Sequence, residues 1–183
     1  EEISNITNQA MSGKLSFFES LVKRVSLLKG ISFNQVQEVC HNLPLTNGAI
    51  ECVKELKKQS HIVVVFSGGF NMATTYYKDI LGLDADFSNT LHFDTENNLS
   101  GMCGGEMMFD NSKGIMIQKL QKILNISIEN TVSIGDGAND LSMFKYSKTK
   151  IAFCAKQVLQ DNATNIISDR DLMKILPLIS KMK

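Results

Sequence analysis

Two glycine-bracketed stretches hold the residues of this chain best suited to chemistry. In the first, the apolar run Thr131-Val132-Ser133-Ile134 ends in Gly135-Asp136-Gly137, and Asn139-Asp140 follows where a helical pattern begins. Carboxylates on such a turn are hard oxygen ligands of the kind Mg²⁺ takes, one or two at a time, alongside water and phosphate. In the second, the β-branched run Ile62-Val63-Val64-Val65-Phe66 ends in Ser67-Gly68-Gly69. Small residues there let backbone N–H groups approach an anion, and the serine hydroxyl adds a donor. A phosphate and a magnesium ion together point to phosphoryl transfer, which also needs a fixed cation for the phosphoryl oxygens. Lys113, in Asn111-Ser112-Lys113-Gly114 at an expected helix start, is the best-placed candidate. A cation is otherwise disfavoured at that end of the helix dipole.

Each feature also has a plainer reading. Ser-Gly-Gly and Gly-Asp-Gly are common turns. Asp140 could sit where it does because its charge suits the positive end of a helix, and Lys113 could be a surface lysine. Order and joint placement, rather than any single motif, favour the functional reading.

The elements that must position these residues follow from periodicity. Strands are expected at 62–66, 131–134, 151–153 and 166–167, with helices near 70–81, 112–125, 139–146, 156–162 and 170–181. Alternation of this kind implies a parallel sheet covered by helices, an α/β fold of Rossmann-like character. In such sheets ligands bind beyond the carboxyl ends of the strands, where both glycine stretches fall. Residues 86–108 read instead as a hairpin around Asn97-Asn98, an excursion from the sheet. Leu15, Phe18, Leu21, Val22, Val25 and Leu28 recur at helical spacing and Gly30 follows as a stop, so residues 1–43 read as a small helical unit. A joint at Asn42-Leu43-Pro44-Leu45-Thr46 leads into the α/β part, 44–183, and Thr46 is the expected N-cap of a helix running to about Gln59.

Composition excludes several classes. Nineteen basic residues balance nineteen acidic ones, which leaves no broad field for nucleic acid or an anionic membrane. No apolar stretch approaches the ~20 residues of a spanning helix. Cys40, Cys52, Cys103 and Cys154 are dispersed without a CxxC pair, which favours a reducing, cytoplasmic setting and small buried side chains. His41, His61 and His92 take no assigned role.

Phe66-Ser67-Gly68-Gly69-Phe70, then Lys113-Gly114, then Gly135-Asp136-Gly137-Ala138-Asn139-Asp140 resembles the second, third and fourth motifs of the haloacid dehalogenase superfamily. The stretches at 10–17, 24–30, 82–85 and 151–156 are similar to its phosphoserine phosphatase family, so the likeness runs nearly end to end. The resemblance implies a Mg²⁺-dependent phosphatase that passes a phosphoryl group to an aspartate and then to water, with phosphoserine as substrate and the last step of serine synthesis as its role. It implies that Ser67 and the Gly68 N–H hold phosphate oxygens and that Lys113 neutralises charge. Asp136 binds the metal, Asn139 contacts phosphate or substrate, and Asp140 stands in the outer shell, orienting Lys113 or a water. In the helical cap, Arg24 clamps the substrate carboxylate while Met11 and Phe17 cover it. For Met11 and Phe17 packing within the cap is a nearly equal alternative, and for Arg24 the rival is a surface ion pair. The expected partner is a small molecule, with no nucleic acid and no membrane, and the protein is expected to be a monomer or homodimer.

The family's first motif, a strand ending in Asp-x-Asp-x-Thr, has no counterpart. Asp84-Ala85-Asp86 is followed by Phe87-Ser88 and comes after Gly82-Leu83, in an expected loop, and is rejected as a substitute. The resemblance therefore implies an upstream segment of about 25 to 30 residues carrying nucleophile and general acid/base. It would lie between the strands that end at Ser67 and Asp136, and the 183 residues alone are expected to be inactive. Two alternatives stand: a related small-molecule phosphatase or phosphotransferase, and a non-catalytic relative that binds magnesium and an anion.

Overall fold

The computed structural model describes residues 2–11 and 14–179, and for residues 10 and 11 the backbone alone. Its helices are α1 (Glu2–Met11), α2 (Phe17–Ser26), α3 (Phe33–His41), α4 (Ala49–Lys58), α5 (Asn71–Leu81), α6 (Ser112–Leu124), α7 (Leu141–Phe144), α8 (Gln157–Gln160) and α9 (Leu176–Ile179). Its strands are β1 (Val64–Phe70), β2 (Ala85–Phe93), β3 (Leu99–Gly105), β4 (Val132–Gly135), β5 (Thr149–Phe153) and β6 (Asn165–Ile167). They form two compact units, Glu1–Pro44 with Ile62–Phe109, and Leu45–His61 with Asp110–Lys183. The α/β class read from the sequence holds, with parallel sheets flanked by helices.

In the first unit the sheet order is β1-β2-β3, with β1 and β2 parallel and β2 and β3 antiparallel. Residues 86–108 are thus no excursion: β2 supplies the hydrogen-bonding partner of β1, and the hairpin completes the sheet. Asp86 lies on β2 opposite Val65 rather than in a loop. Its carboxylate accepts from Thr74 Oγ1 at 2.6 Å and Thr75 Oγ1 at 3.0 Å on α5, so it is committed locally, and Asp84 accepts from the Val63 N–H at 2.7 Å. The helical section begins α2 with a capping box, in which Ser16 Oγ accepts the Glu19 N–H and Glu19 accepts the Ser16 N–H. Two orphan donors of the first turn are satisfied reciprocally. Leu21 and Val25 then face Leu91, Leu99 and Met108 in one core cluster.

In the second unit β4, β5 and β6 are all parallel. Ile151 and Ala152 at the centre of β5 are fully buried, as the middle strand of a covered parallel sheet must be. The helix expected from Thr46 starts later. Its N-cap is Gly48, at φ +72°, with no side-chain cap. Thr46 accepts the Ala49 N–H through its backbone carbonyl, and Asn47 bridges to Asp171. A turn anchored to the C-terminal segment therefore precedes the helix and takes Thr46 out of capping position. At Gly48 a Cβ would lie 2.6 Å from Asp171 Oδ1, so glycine is required by space as well as by φ.

Candidate active site

Ser67, Gly68 and Gly69 are not a turn after a strand but a bulge within one. Phe66 pairs with Phe87 and Phe70 with Asn89, so four residue steps on β1 face two on β2. Such bulges bend a strand and re-aim its backbone, often beside active sites. The Gly69 N–H turns back to Ser67 Oγ at 3.0 Å. At Gly68 a Cβ would lie 2.6 Å from Phe17 Cζ, so the ring of Phe17 rests directly on this residue and would have to swing aside for any larger side chain. Phe17, the expected lid, and Gly68, the expected phosphate contact, are thereby brought together.

Arg24, on the last turn of α2, donates from Nε to the Ser20 carbonyl at 3.2 Å. Among the described residues no carboxylate pairs with its guanidinium, so the surface ion pair weighed as its rival is not formed there. Met11 closes α1, and its side chain lies outside the described residues.

The second cluster is built on β4 and the N-terminus of α6. Lys113 Nζ meets Asp140 Oδ1 at 2.5 Å, with the two side chains only 12% and 4% exposed. The other oxygen, Oδ2, accepts the N–H of Asp136 at 2.9 Å and of Gly137 at 3.1 Å. Both oxygens of Asp140 are therefore engaged: one serves the turn's backbone and the other the Lys113 ammonium. Lys113 retains two further N–H donors, since an ammonium carries three. α6 is held by Gly114, whose N–H donates to Ser142 Oγ at 3.1 Å and whose missing Cβ would lie 2.6 Å from the Ser142 carbonyl.

Asp136 differs from its neighbour. It is exposed, and among the described residues nothing pairs with its carboxylate. Its backbone is held at both ends, by Asp140 at the N–H and by Lys156, whose N–H donates to the Asp136 carbonyl at 2.9 Å. The backbone is thus fixed while the carboxylate stays open. Asn139 stands in the short 3₁₀ turn Ala138–Asp140 beside it, half-buried.

Reading the sequence missed Asn89. It is fully buried and its carboxamide joins the bulge to the segment after β3: Nδ2 donates to the Gly68 and Met107 carbonyls, and Oδ1 accepts the Met107 N–H. An asparagine inside a strand, where that residue is disfavoured, was the available signal. Ser142 was also missed, and nothing in its local pattern marks it.

The model of the haloacid dehalogenase-like hydrolases matches residues 1–148. A phosphoserine phosphatase of Wolinella succinogenes is 53% identical over 176 residues, covering 96% of this chain and 85% of the relative. That of Methanocaldococcus jannaschii is 46% identical over 179 residues, covering 98% and 84%. Among solved structures, a phospho-aspartyl intermediate analogue of phosphoserine phosphatase superposes with a TM-score of 0.92 at 46% identity, covering 97% of this chain and 85% of that one. A substrate-bound phosphoserine phosphatase complex gives the same TM-score, 0.92, over 98% of this chain and 85% of its own. Matches of this identity and coverage, over a chain whose lysine-paired Asp140 and open Asp136 stand in the family's fourth motif, settle the assignment. The chain belongs to the phosphoserine phosphatase family of haloacid dehalogenase-like hydrolases.

Proposed function

We propose that the protein is a Mg²⁺-dependent phosphatase that hydrolyses O-phospho-L-serine to L-serine and phosphate through a phosphoaspartyl intermediate, in the cytoplasm, as the last step of serine biosynthesis. The observation that carries this reading is the division of labour in the β4 turn: Asp140 neutralises and orients Lys113, while Asp136 stays open. The named relatives support it, one as a substrate-bound phosphoserine phosphatase and one as a phospho-aspartyl intermediate analogue. The described residues contain no group of three or more His, Cys, Asp or Glu placed to enclose an ion. The single open carboxylate of Asp136 suits an ion that keeps much of its water, and Mg²⁺ is such an ion. Asp136 is the residue that would hold it. Bound there, Mg²⁺ supplies charge neutralisation to the phosphoryl oxygens.

The chain's own residues then have separable tasks. The Ser67 hydroxyl and the Gly68 N–H donate to phosphoryl oxygens, and the free donors of Lys113 do the same. Asn139 adds a polar contact from the turn. Arg24 offers its guanidinium to the substrate carboxylate, for which a planar fork of donors is suited. Residues 1–43 act as the cap over the 44–183 core, with Phe17 and Met11 excluding water from the substrate. No residue of the 183 is assigned as the nucleophile.

The test is turnover of phosphoserine by the full protein with Mg²⁺. Asp136→Asn and Lys113→Ala should each lose about 10²–10³-fold or more in kcat, the scale of removing one preorganised electrostatic partner. Asp136→Asn should also lose Mn²⁺ binding followed by electron paramagnetic resonance. Arg24→Ala should raise KM for phosphoserine about 10- to 100-fold, the worth of a charge-assisted hydrogen bond, and spare phosphate esters without a carboxylate. Wild-type rates in the first two variants would sink the site; unchanged KM in the third would sink the clamp.

A further inference from the structure

The bulge in β1 leaves one peptide unit, Gly68–Gly69, held from both sides. Its carbonyl accepts from Asn89 Nδ2 at 3.2 Å, and its N–H donates to Ser67 Oγ at 3.0 Å. In a trans peptide the carbonyl and the following N–H point in opposite directions, so fixing one fixes the other. Asn89 is the fixed end. It is 0% exposed, and two more hydrogen bonds lock its amide to Met107, Nδ2 to the carbonyl at 3.2 Å and Oδ1 from the N–H at 2.9 Å. Two carbonyls need a donor and one N–H needs an acceptor, so only one orientation of the amide satisfies the network.

The site is built around this side chain. Asn89, at the middle of β2, pairs with Phe70 across to β1 and with Gly105 across to β3, placing it where the ends of those two strands meet β2. At Gly105, at φ +139°, a Cβ would lie 2.7 Å from Asn89 Cα and 2.9 Å from Asn89 Oδ1, so glycine there leaves room for the amide. Aspartate would have the same shape but no donor for Gly68, and glutamine would be a methylene too long to close the ring with Met107.

We infer that Asn89 is a positioning residue for the phosphoryl contact made by Ser67, acting through the Gly68–Gly69 peptide plane. A hydroxyl has one hydrogen to give and two lone pairs to receive. With the Gly69 N–H aimed at Ser67 Oγ, one lone pair is occupied, and among the described residues the Ser67 hydrogen donates to no protein acceptor. That hydrogen is left for a phosphoryl oxygen. Without the Asn89 donor the peptide is free to rotate, the Gly69 N–H leaves Ser67, and the hydroxyl loses its direction. The inference rests on the reading of Ser67 as a phosphoryl contact.

A kinetic double-mutant cycle in the full protein, with phosphoserine and Mg²⁺, separates the two. Asn89→Asp keeps shape and removes the donor; Asn89→Ser, which leaves room for a water, carries the same cycle if the buried carboxylate prevents folding. Each is combined with Ser67→Ala, and thermal melting verifies that every variant assayed is folded. Expected is a kcat loss of about 10- to 100-fold from the Asn89 change in the parent, the scale of a small misplacement in a reacting site. In the Ser67→Ala background the same change should cost less than about threefold, because a residue that acts through another loses its effect when that other is gone. Equal losses in both backgrounds, with Ser67→Ala itself impaired, would overturn the inference and leave the phosphatase reading intact. Wild-type kcat in Ser67→Ala would overturn the reading of Ser67, and the inference with it.

Discussion

Replacing Asp140 by asparagine isolates the buried charge pair from the rest of the turn. The carboxamide has nearly the same shape, and its oxygen can take the place of Oδ2 and go on accepting the N–H groups of Asp136 and Gly137. Its NH₂ then faces the Lys113 ammonium, donor against donor. With side chains 12% and 4% exposed, water cannot readily replace the lost partner. Breaking one side of a buried pair costs about 3–5 kcal/mol, because the remaining charge stays desolvated. The lower figure applies here, since Lys113 is the more accessible of the two and its stem can snorkel. A loss of about 3 kcal/mol corresponds to a fall in Tm of about 6–12 °C for a chain of this size. The assay is urea and thermal unfolding of Asp140→Asn, Lys113→Met and the double variant. Removing the ammonium as well removes the stranded charge, so the double variant should be less destabilised than the sum of the singles by about 2 kcal/mol. A single-variant loss below about 1 kcal/mol, or additivity within about 0.5 kcal/mol, would refute the claim that Asp140 and Lys113 hold each other.

Two further outcomes follow from close approaches and burial. Gly114→Ala should destabilise by about 1–3 kcal/mol despite the better helix propensity of alanine, because its Cβ meets the Ser142 carbonyl at 2.6 Å and α6 must move from α7; a raised Tm would show that the packing gives way. Burial, reinforced by the nearby Asp171 carboxylate, pushes the Cys52 thiol from 9.0 up to about 11. The unfolded chain releases that proton first, so the stability this thiol contributes is intact below about pH 9 and lost as pH rises toward about 11. The urea midpoint should fall across that window less steeply in Cys52→Ala than in the parent, and parallel slopes would exclude the thiol as the cause.

Much of the fold was legible because apolar periodicity is local. The run before Gly135, the 112–125 helix and the hairpin around Asn97-Asn98 all lie close to where residue pattern alone puts them. What escaped was decided by distant partners. Ser67-Gly68-Gly69 reads as a turn until β2 is known to continue the ladder to Phe70. Thr46 reads as a cap until Asn47 is found bridged to Asp171. β2 hides its beginning behind Asp86 and Ser88, polar residues whose hydrogen bonds go to Thr74 and Thr75 on α5. Hydrophobic alternation cannot register a polar group whose partner is another element. Asn89 escaped for the same reason: its burial makes sense only once Gly68 and Met107 are placed around it.

The β4 turn shows how two chemically identical side chains acquire opposite surroundings. Gly135 is not in the left-handed region, so its lack of a side chain is a matter of space: a Cβ would lie 2.5 Å from Cβ, Cγ and Oδ2 of Asp140. Because that space is empty, the Asp140 carboxylate folds back over the end of β4 and takes the two turn N–H groups and Lys113. Its charge is then balanced within the protein. Asp136, with its backbone fixed by those same bonds, keeps a carboxylate that nothing among the described residues claims. An alanine at Gly135 would thus do more than crowd the turn. It would push Asp140 off the N–H groups that fix the backbone of Asp136, and strand Lys113 at the same time. One missing methyl group therefore governs both the open carboxylate and the oriented cation.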